Sequence, residues 1–256
     1  MKIDYYKHYA STHKFVGYDE IKITSKTIGY FMNALLPHLP RSKKAQIVDI
    51  GCGNGRYLNI LREIGYQNIY GVDISEEQVS YARERLGTDK VEVSDALKFI
   101  ENKNQEYDAI LIIDLLEHLE LDYSIKLIRA VRNALKDNGI VIMQVPNSIS
   151  PLSPYLYGDI THKRAYMTTS MNQSLLLGGF NEKDISHYAL PPVPTGLMGS
   201  IRFLFWHLLF YPLISTYLFF TIGRYNRGIY TANMLTVAKK CPIDLHVTID
   251  LPDAVI

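Results

Sequence analysis

Val48-Asp49-Ile50-Gly51-Cys52-Gly53-Asn54-Gly55 joins a short β-type run, residues 46–50, to a helical stretch over residues 56–64. Its glycines let the backbone turn sharply and approach a ligand with no Cβ in the way. In a dinucleotide site, such a loop and helix N-terminus hold a pyrophosphate. Here an acid, Asp49, precedes the loop, and a carboxylate suits an ammonium group better than a phosphate. The expected ligand is therefore cationic or zwitterionic. A glycine-rich turn by itself decides little, because many α/β proteins keep one for packing.

The surrounding chain carries the reading further. Residues 68–73 read as a second strand, 76–86 as a helix and 90–93 as a short third strand. Residues 107–113 form a fourth strand, nearly all apolar, as expected where both sheet faces are covered. Residues 123–135 read as a helix with Ile125, Ile128, Val131, Ala134 and Leu135 on one side, stopped by Lys136-Asp137-Asn138-Gly139. Residues 139–145 are the fifth strand. Such an alternation implies a parallel sheet with right-handed crossovers. The second strand ends in Gly71-Val72-Asp73-Ile74, and an acid at that carboxyl end can accept both hydroxyls of a ribose. After the third strand, Ser94-Asp95-Ala96 offers another acid, suited to an adenine amino group.

With these residues together, the chain resembles the class I S-adenosylmethionine-dependent methyltransferases. The resemblance rests on VDIGCGNG (48–55), GVDIS (71–75), SDA (94–96), DAILIIDLLEHL (108–119) and LKDNGIVIMQVPN (135–147), and covers residues 45–147. It implies a Rossmann-like, doubly wound α/β fold with a seven-stranded sheet, mostly parallel with an antiparallel last strand. It also implies S-adenosylmethionine as cofactor. By the same resemblance, Asp49, Gly51, Cys52, Gly53 and Gly55 line its methionine and ribose part, and Asp73 binds the ribose hydroxyls. Ile74 packs on adenine with Asp95 and Ala96 at its edge, while the backbone around Ile113 and Asp114 faces the amino-acid end. Similar aromatic-rich leaders fold over the cofactor in this family, so Tyr9, within the run Tyr5, Tyr6, Tyr9, His13 and Phe15, is expected to cover the sulfonium; the alternative is that these residues only cap the core.

Asp114-Leu115-Leu116-Glu117-His118 follows the fourth strand, at the edge where such sites form. Three readings stay open: a structural segment, His118 as a general base, or Asp, Glu and His sharing a divalent cation. The spacing is similar to the acid-x-x-Glu-His segment of the ubiquinone-pathway O-methyltransferases, some of which use a metal there. Leu-Glu-His is nevertheless common across the superfamily without one, and the expectation is no metal.

After residue 145 the pattern changes. Residues 146–154 are a loop, 168–177 a helix, and 183–190 and 229–238 two further strands. The connection after the fifth strand goes on to carry Tyr155, Tyr157, Asp159, Thr161, His162, Lys163, Arg164 and Tyr166 on the acceptor side of the sheet. Asp159, three residues before His162, could orient that ring or share a proton with it, and a similar Asp-x-Thr-His run occurs in polysaccharide-cluster methyltransferases. The alternative is a solvated loop. His162, Asp159 and His118 are the expected catalytic residues. The chain lacks the Asn/Asp-Pro-Pro-Tyr run of amino-group methyltransferases and a cysteine arranged for base methylation. This favours an oxygen acceptor.

Residues 197–222 are very apolar and long enough to span a bilayer, which takes about 20 residues. A single crossing would place the two last strands on opposite sides, and Pro212, Arg202 and His207 interrupt the run. Two short helices meeting near Tyr211-Pro212 are expected, as a lid, a dimer contact or an in-plane membrane anchor. Trp206, Tyr211, Tyr217 and Tyr225 suit a headgroup interface, and Arg224 and Arg227 suit anionic lipid.

Composition agrees with a globular protein: 47% of the 256 residues are hydrophobic and 21% charged, with a net charge of +1. The absence of a basic footprint argues against a nucleic-acid partner. Two distant cysteines, Cys52 and Cys241, fit a reducing compartment, and the polar N-terminus is unlike a secretory leader. The expected location is the cytoplasm, at the inner face of the membrane. The expected organisation is a methyltransferase domain over residues 1–240 (core 45–147, acceptor side 148–240) and a tail over 241–256. The expected activity is O-methylation of a sugar or lipid-linked glycan hydroxyl. The alternatives are a small phenolic or quinone-like acceptor, and a non-catalytic cofactor-binding or scaffold protein.

Overall fold

The computed structural model describes residues 23–151, 153–194, 196–223 and 228–242. The chain opens with α1 (Ser25–Tyr30), drawn out through a π turn (Phe31–Leu35) and a 3₁₀ turn (Leu36–His38). Phe31 and Leu35 are fully buried against the sheet. Then β1 (Gln46–Ile50), α2 (Arg56–Glu63), β2 (Asn68–Asp73), α3 (Glu76–Leu86) and β3 (Val91–Val93) alternate as the sequence predicts. The caps of α3 show why it begins and ends there. Ser75 Oγ accepts from Gln78 N, Glu76 and Glu77 fill the first turn, and Gly87 closes the helix at φ 57°.

A short α4 (Ala96–Ile100) precedes β4 (Tyr107–Ile113), whose residues are nearly all buried. A 3₁₀ turn (Leu116–His118) leads to α5 (Leu121–Ala134), which buries Leu127, Ile128, Val131 and Ala134. Leu135, expected as the end of that helix, instead opens β5 (Leu135–Pro146). The turn expected at 136–139 is an irregularity inside the strand: the register against β4 shifts between Tyr107 and Ala109, and Asn138 takes φ 64°. Next come α6 (Pro154–Tyr157), α7 (Thr168–Leu177), β6 (Ile185–Ala189), a long apolar helix described below, and β7 (Asn233–Lys239).

The strands form one seven-stranded sheet in the order β3-β2-β1-β4-β5-β7-β6. β1 to β5 are mutually parallel, and β7 runs antiparallel to both β5 and β6. Two apolar cores lie on its two faces, one around Ile110, Ile112, Leu127 and Met143, the other around Ile47, Leu58, Leu61 and Leu111. Strand order reverses between β1 and β4, so their carboxyl ends open a crevice at the topological switch point.

The apolar run is one continuous helix, and the expected pair of short helices is corrected. α8 (Gly196–Phe205), a π turn (Trp206–Phe210) and α9 (Tyr211–Ile222) follow without a break. Pro212 has no N–H to give, and the helix absorbs it by widening: Tyr211 N donates to Trp206 O, five residues back. Along Gly196–Thr221, 26 residues, nothing is buried. Its middle rests on the domain, with the Tyr211 ring 5.9 Å from that of buried Tyr230, just before β7.

Candidate functional site

The cofactor loop after β1 holds Gly51, Gly53 and Gly55 at φ 77°, 51° and 73°, the left-handed region that favours glycine. At Gly55 a Cβ would also stand 2.9 Å from the Cβ of Ala82, so packing as well as φ requires glycine there. The loop turns Asp49 inward. It is 1% exposed, and neither of its carboxylate oxygens has a hydrogen-bond partner among the described residues. Burial pushes its carboxyl up to about 7; the Arg56 guanidinium opposes this and Asp73 adds to it. A buried carboxylate in want of a donor is suited to an ammonium ligand.

Asp73, at the end of β2, ties two loops together: its oxygens accept from Gly53 N and Ser75 N, each at 2.9 Å. The next side chain, Ile74, is 57% exposed, an apolar face on the rim of the crevice. Asp95 caps α4 through Lys98 N at 3.0 Å and accepts from the Tyr123 hydroxyl at 2.7 Å. This sets Asp95 and Ala96 at the same edge, with Asp95 serving a helix end as well. Cys52 is buried, and burial first, then Asp49 and Asp73, keep its thiol well above the ordinary range, so it stays protonated.

Ile113 closes β4, and Asp114 follows at φ 54° with its Oδ1 held by Gln144 Nε2 at 2.7 Å. Burial raises the Asp114 carboxyl, against the lowering influence of Gln144, Arg56 and His162.

Beyond Asp114, the turn carrying Glu117 and His118 meets the loop after β5. Two backbone amides of that loop, Lys163 N and Arg164 N, donate to the Glu117 carbonyl at 2.8 and 3.1 Å. This pins His162 over the turn. Its ring stands 4.6 Å from that of His118, edge to face. His162 Nε2 lies 3.9 Å from Glu117 Oε1 and 3.9 Å from Asp159 Oδ2, both beyond hydrogen-bond reach. The ring is oriented by the carbonyl of Leu156, 2.9 Å from Nδ1, and not by Asp159 as the sequence spacing implied. Asp159 Oδ1 instead accepts from the Thr161 hydroxyl at 2.6 Å, and that oxygen in turn meets His118 Nδ1 at 2.8 Å. Glu117 is 1% exposed, and its oxygens have no hydrogen-bond partner among the described residues. Burial, then Asp114, raises its carboxyl far above the ordinary range.

Residues 25–181 match the family described as a methyltransferase domain. The chain belongs to that family.

Its cofactor is S-adenosylmethionine, as the loop motifs imply. The chain is 31% identical over 140 residues to polyamine aminopropyltransferase 2 of Hyperthermus butylicus, covering 48% of this chain and 45% of that protein. It is 24% identical over 135 residues to the ubiquinone biosynthesis O-methyltransferase of Rickettsia canadensis, covering 51% and 54%. The chain thus spans about half the length of these curated relatives. The crystal structure of a SAM dependent methyltransferase from Archaeoglobus fulgidus superposes with a TM-score of 0.64 at 19% identity, over 89% of this chain and all of that one, a likeness of fold.

In this methyltransferase domain the expected cofactor residues after β1, β2, β3 and β4 all fall on the carboxyl edge of the sheet. His118, Asp159 and His162 are brought together as well. Tyr9 and the rest of the N-terminal aromatic run lie outside the described residues, as do Tyr225, Arg224 and Arg227. Sequence reasoning missed Tyr30, Arg56 and Gln144, and named Thr161 without the bond it makes to His118. Gln144 accepts from the Tyr30 hydroxyl while it donates to Asp114. A glutamine inside an apolar strand was the available signal, since a buried amide needs partners.

Proposed function

We propose that this methyltransferase acts on a hydroxyl of a sugar or lipid-linked glycan at a membrane surface, with residues 1–240 as one domain. Glu117, His118, Asp159 and His162, gathered beside the cofactor crevice, carry the choice of an oxygen acceptor. When bound, S-adenosylmethionine supplies an electrophilic methyl group for in-line displacement by the acceptor oxygen. Asp49 and the loop from Gly51 to Gly55 are the residues that would hold its amino-acid end, and Asp73 its ribose. Holding the acceptor in line is worth ~7–11 kcal/mol. A hydroxyl must also lose its proton, and a positioned base adds about 10²–10⁴-fold. We assign that proton to His162 Nε2, whose Nδ1 is engaged by Leu156 O. Asp159 and Glu117, each 3.9 Å away, would stabilise the imidazolium.

The membrane part of the reading rests on the helix from α8 to α9, which half-buries Phe203, Trp206, Ile214 and Leu218 toward the domain and exposes apolar side chains elsewhere, among them Leu197, Leu208, Leu213 and Phe220. The helix lies on the acceptor side: Leu213, Ile214, Tyr217 and Leu218 face Ile149 and Pro151 of the loop after β5 across a cavity of about 370 Å³. That apolar cavity also favours a second reading, a quinone-like acceptor with an apolar tail, which the likeness to the ubiquinone biosynthesis O-methyltransferase of Rickettsia canadensis supports.

The test is incubation of the full chain with methyl-labelled S-adenosylmethionine and, separately, detergent-extracted glycolipids, water-soluble glycans and quinols. Label in a glycan or glycolipid fraction is the expected result. Label in the quinols alone replaces it with the second reading. Tight cofactor binding with no transfer to any of them leaves a non-catalytic binding protein.

A further inference from the structure

Ile149 and Pro151 face Leu213, Ile214, Tyr217 and Leu218 of α9 across the cavity of about 370 Å³. We propose that this cavity is a chain site. It holds one hydrocarbon chain of the methyl acceptor, which is then an amphiphile with a single alkyl or prenyl tail and a polyhydroxyl head.

The lining decides the chemistry of the occupant. The six side chains carry one polar atom between them, the Tyr217 hydroxyl, and no charge. A peptide laid there would leave its N–H and C=O groups without partners, whereas a hydrocarbon chain has none to satisfy. The four helix residues stand at i, i+1, i+4 and i+5 and so form one face of α9. Ile149, Ile214 and Leu218 are half-buried and make the floor. Leu213 and Tyr217, 59% and 66% exposed, make the rim, where the cavity meets the exposed apolar side of the same helix. At ~30 Å³ for a group the size of a water molecule, such a cavity takes on the order of ten methylenes. That is one chain, not the two of a diacyl lipid.

The wall opposite the helix is tied to the proposed base. Ser153 Oγ donates to the Ser148 and Ser150 carbonyls, 2.7 and 3.0 Å away, on either side of Ile149. Ser153 itself sits at φ 38°, a left-handed conformation that costs energy in a residue with a side chain. α6 starts at the next residue, and its Leu156 carbonyl engages His162 Nδ1 at 2.9 Å. One connection therefore carries an apolar wall at its start and Asp159, Thr161 and His162 near its end. The first end suits a tail. The second is polar and charged, which favours a head rich in hydroxyls over a flat quinone ring. For its use in catalysis the inference rests on the proposed lipid-linked acceptor; the chain site itself is decided by binding.

The probes are glucose and the hexyl, octyl, decyl and dodecyl β-glucosides, each kept below its micelle concentration. They are titrated by calorimetry into the full chain in the presence of S-adenosylhomocysteine. One glucoside per chain is expected. Affinity should rise about fourfold for each methylene, the factor equivalent to ~0.8 kcal/mol per buried CH₂, and level off between decyl and dodecyl, where the cavity is full. Ile149→Trp and Ile214→Trp fill the cavity from opposite walls. Each should weaken decyl glucoside about 10-fold or more and flatten the series. Leu197→Glu combined with Leu208→Glu, at exposed positions outside the cavity, should leave the series unchanged. S-adenosylhomocysteine titration shows that the variants are folded. Equal affinity at every chain length overturns the proposal. So does a series that survives both tryptophan variants, or several glucosides per chain that only the glutamate double variant removes, since that is adsorption to the helix at large. Methyl label in a decyl quinol and in no glycolipid overturns the polyhydroxyl head. Chain-dependent binding with label only in water-soluble glycans sinks the lipid-linked acceptor and leaves the chain site. Label in a glycolipid without chain-dependent binding sinks the chain site and leaves the acceptor.

Discussion

Gln144 Nε2 donates to Asp114 Oδ1 at 2.7 Å, and this bond crosses from β5 to the residue that follows β4. Asp114 sits at φ 54°, an uncommon conformation for a residue with a side chain. The Gln144 carbonyl end accepts from Tyr30, so α1 is tied to the same point. The amide thus ties α1, β5 and the turn after β4 together at the edge of the crevice. Gln144→Leu removes a donor and an acceptor at once and leaves Asp114 and Tyr30 unsatisfied, at about 1–3 kcal/mol for each group. The expected outcome is a lower melting temperature and weaker S-adenosylhomocysteine binding in the same variant. Unchanged thermal unfolding and unchanged calorimetry would show that the bond holds nothing.

Asp73→Ala removes the carboxylate that Gly53 N and Ser75 N share. Cofactor affinity should fall by about 1.5–3 kcal/mol for each charge-assisted bond lost to the ribose. Calorimetry on the folded variant reads this directly, and equal affinity in variant and wild type removes the ribose assignment.

Asp49 gives a pH signature. Burial lifts its carboxyl to about 7, above its ordinary value in an unfolded chain of about 3.9. In the window between these values the native state holds more protons than the unfolded state. Its contribution to stability is therefore present at low pH, is lost as pH rises from about 4 to about 7, and is level above that. Cofactor binding runs the other way, because the charged carboxylate is the form that attracts an ammonium. S-adenosylhomocysteine affinity should rise with pH up to about 7 and flatten above it, and Asp49→Asn should remove the dependence. A flat affinity profile in the wild type across this window would show that Asp49 does not face the ligand's charge.

Much of this site was legible because its determinants are local. The glycines at 51, 53 and 55 and the acids at 49 and 73 occupy strand ends, and a βαβ series carries every strand end to one edge. His162 and Glu117 were legible only as separate motifs. Their meeting depends on Lys163 N and Arg164 N reaching the Glu117 carbonyl, a backbone contact with no residue signature. The same holds for the orientation of His162, since Leu156 supplies a carbonyl that any residue would supply. The break expected at Pro212 failed for a local reason: a π turn takes up the missing N–H without ending the helix.

The helix from α8 to α9 yields the last prediction, peripheral membrane binding. Its 26 residues from Gly196 to Thr221 extend about 39 Å, enough to cross a bilayer. Two contacts oppose a crossing. The strands on either side, β6 and β7, pair with each other in one sheet, and Tyr211 at the middle of the helix packs on Tyr230 of the domain. A helix held at its middle would lie along a membrane surface, with its exposed apolar sides in the acyl boundary. Arg202 would stay at headgroup level and add about 1 kcal/mol on anionic lipid. Full-length protein should float with anionic vesicles, and high salt should weaken that binding without abolishing it. Leu208→Glu combined with Phe220→Glu should prevent flotation, and should leave cofactor affinity unchanged because both side chains are 75% or more exposed. A wild type that stays soluble and monomeric with no vesicle binding would make the helix an internal lid and remove the main support for a lipid-linked acceptor. A soluble dimer that the same double variant dissociates would assign the helix to a second copy of the chain.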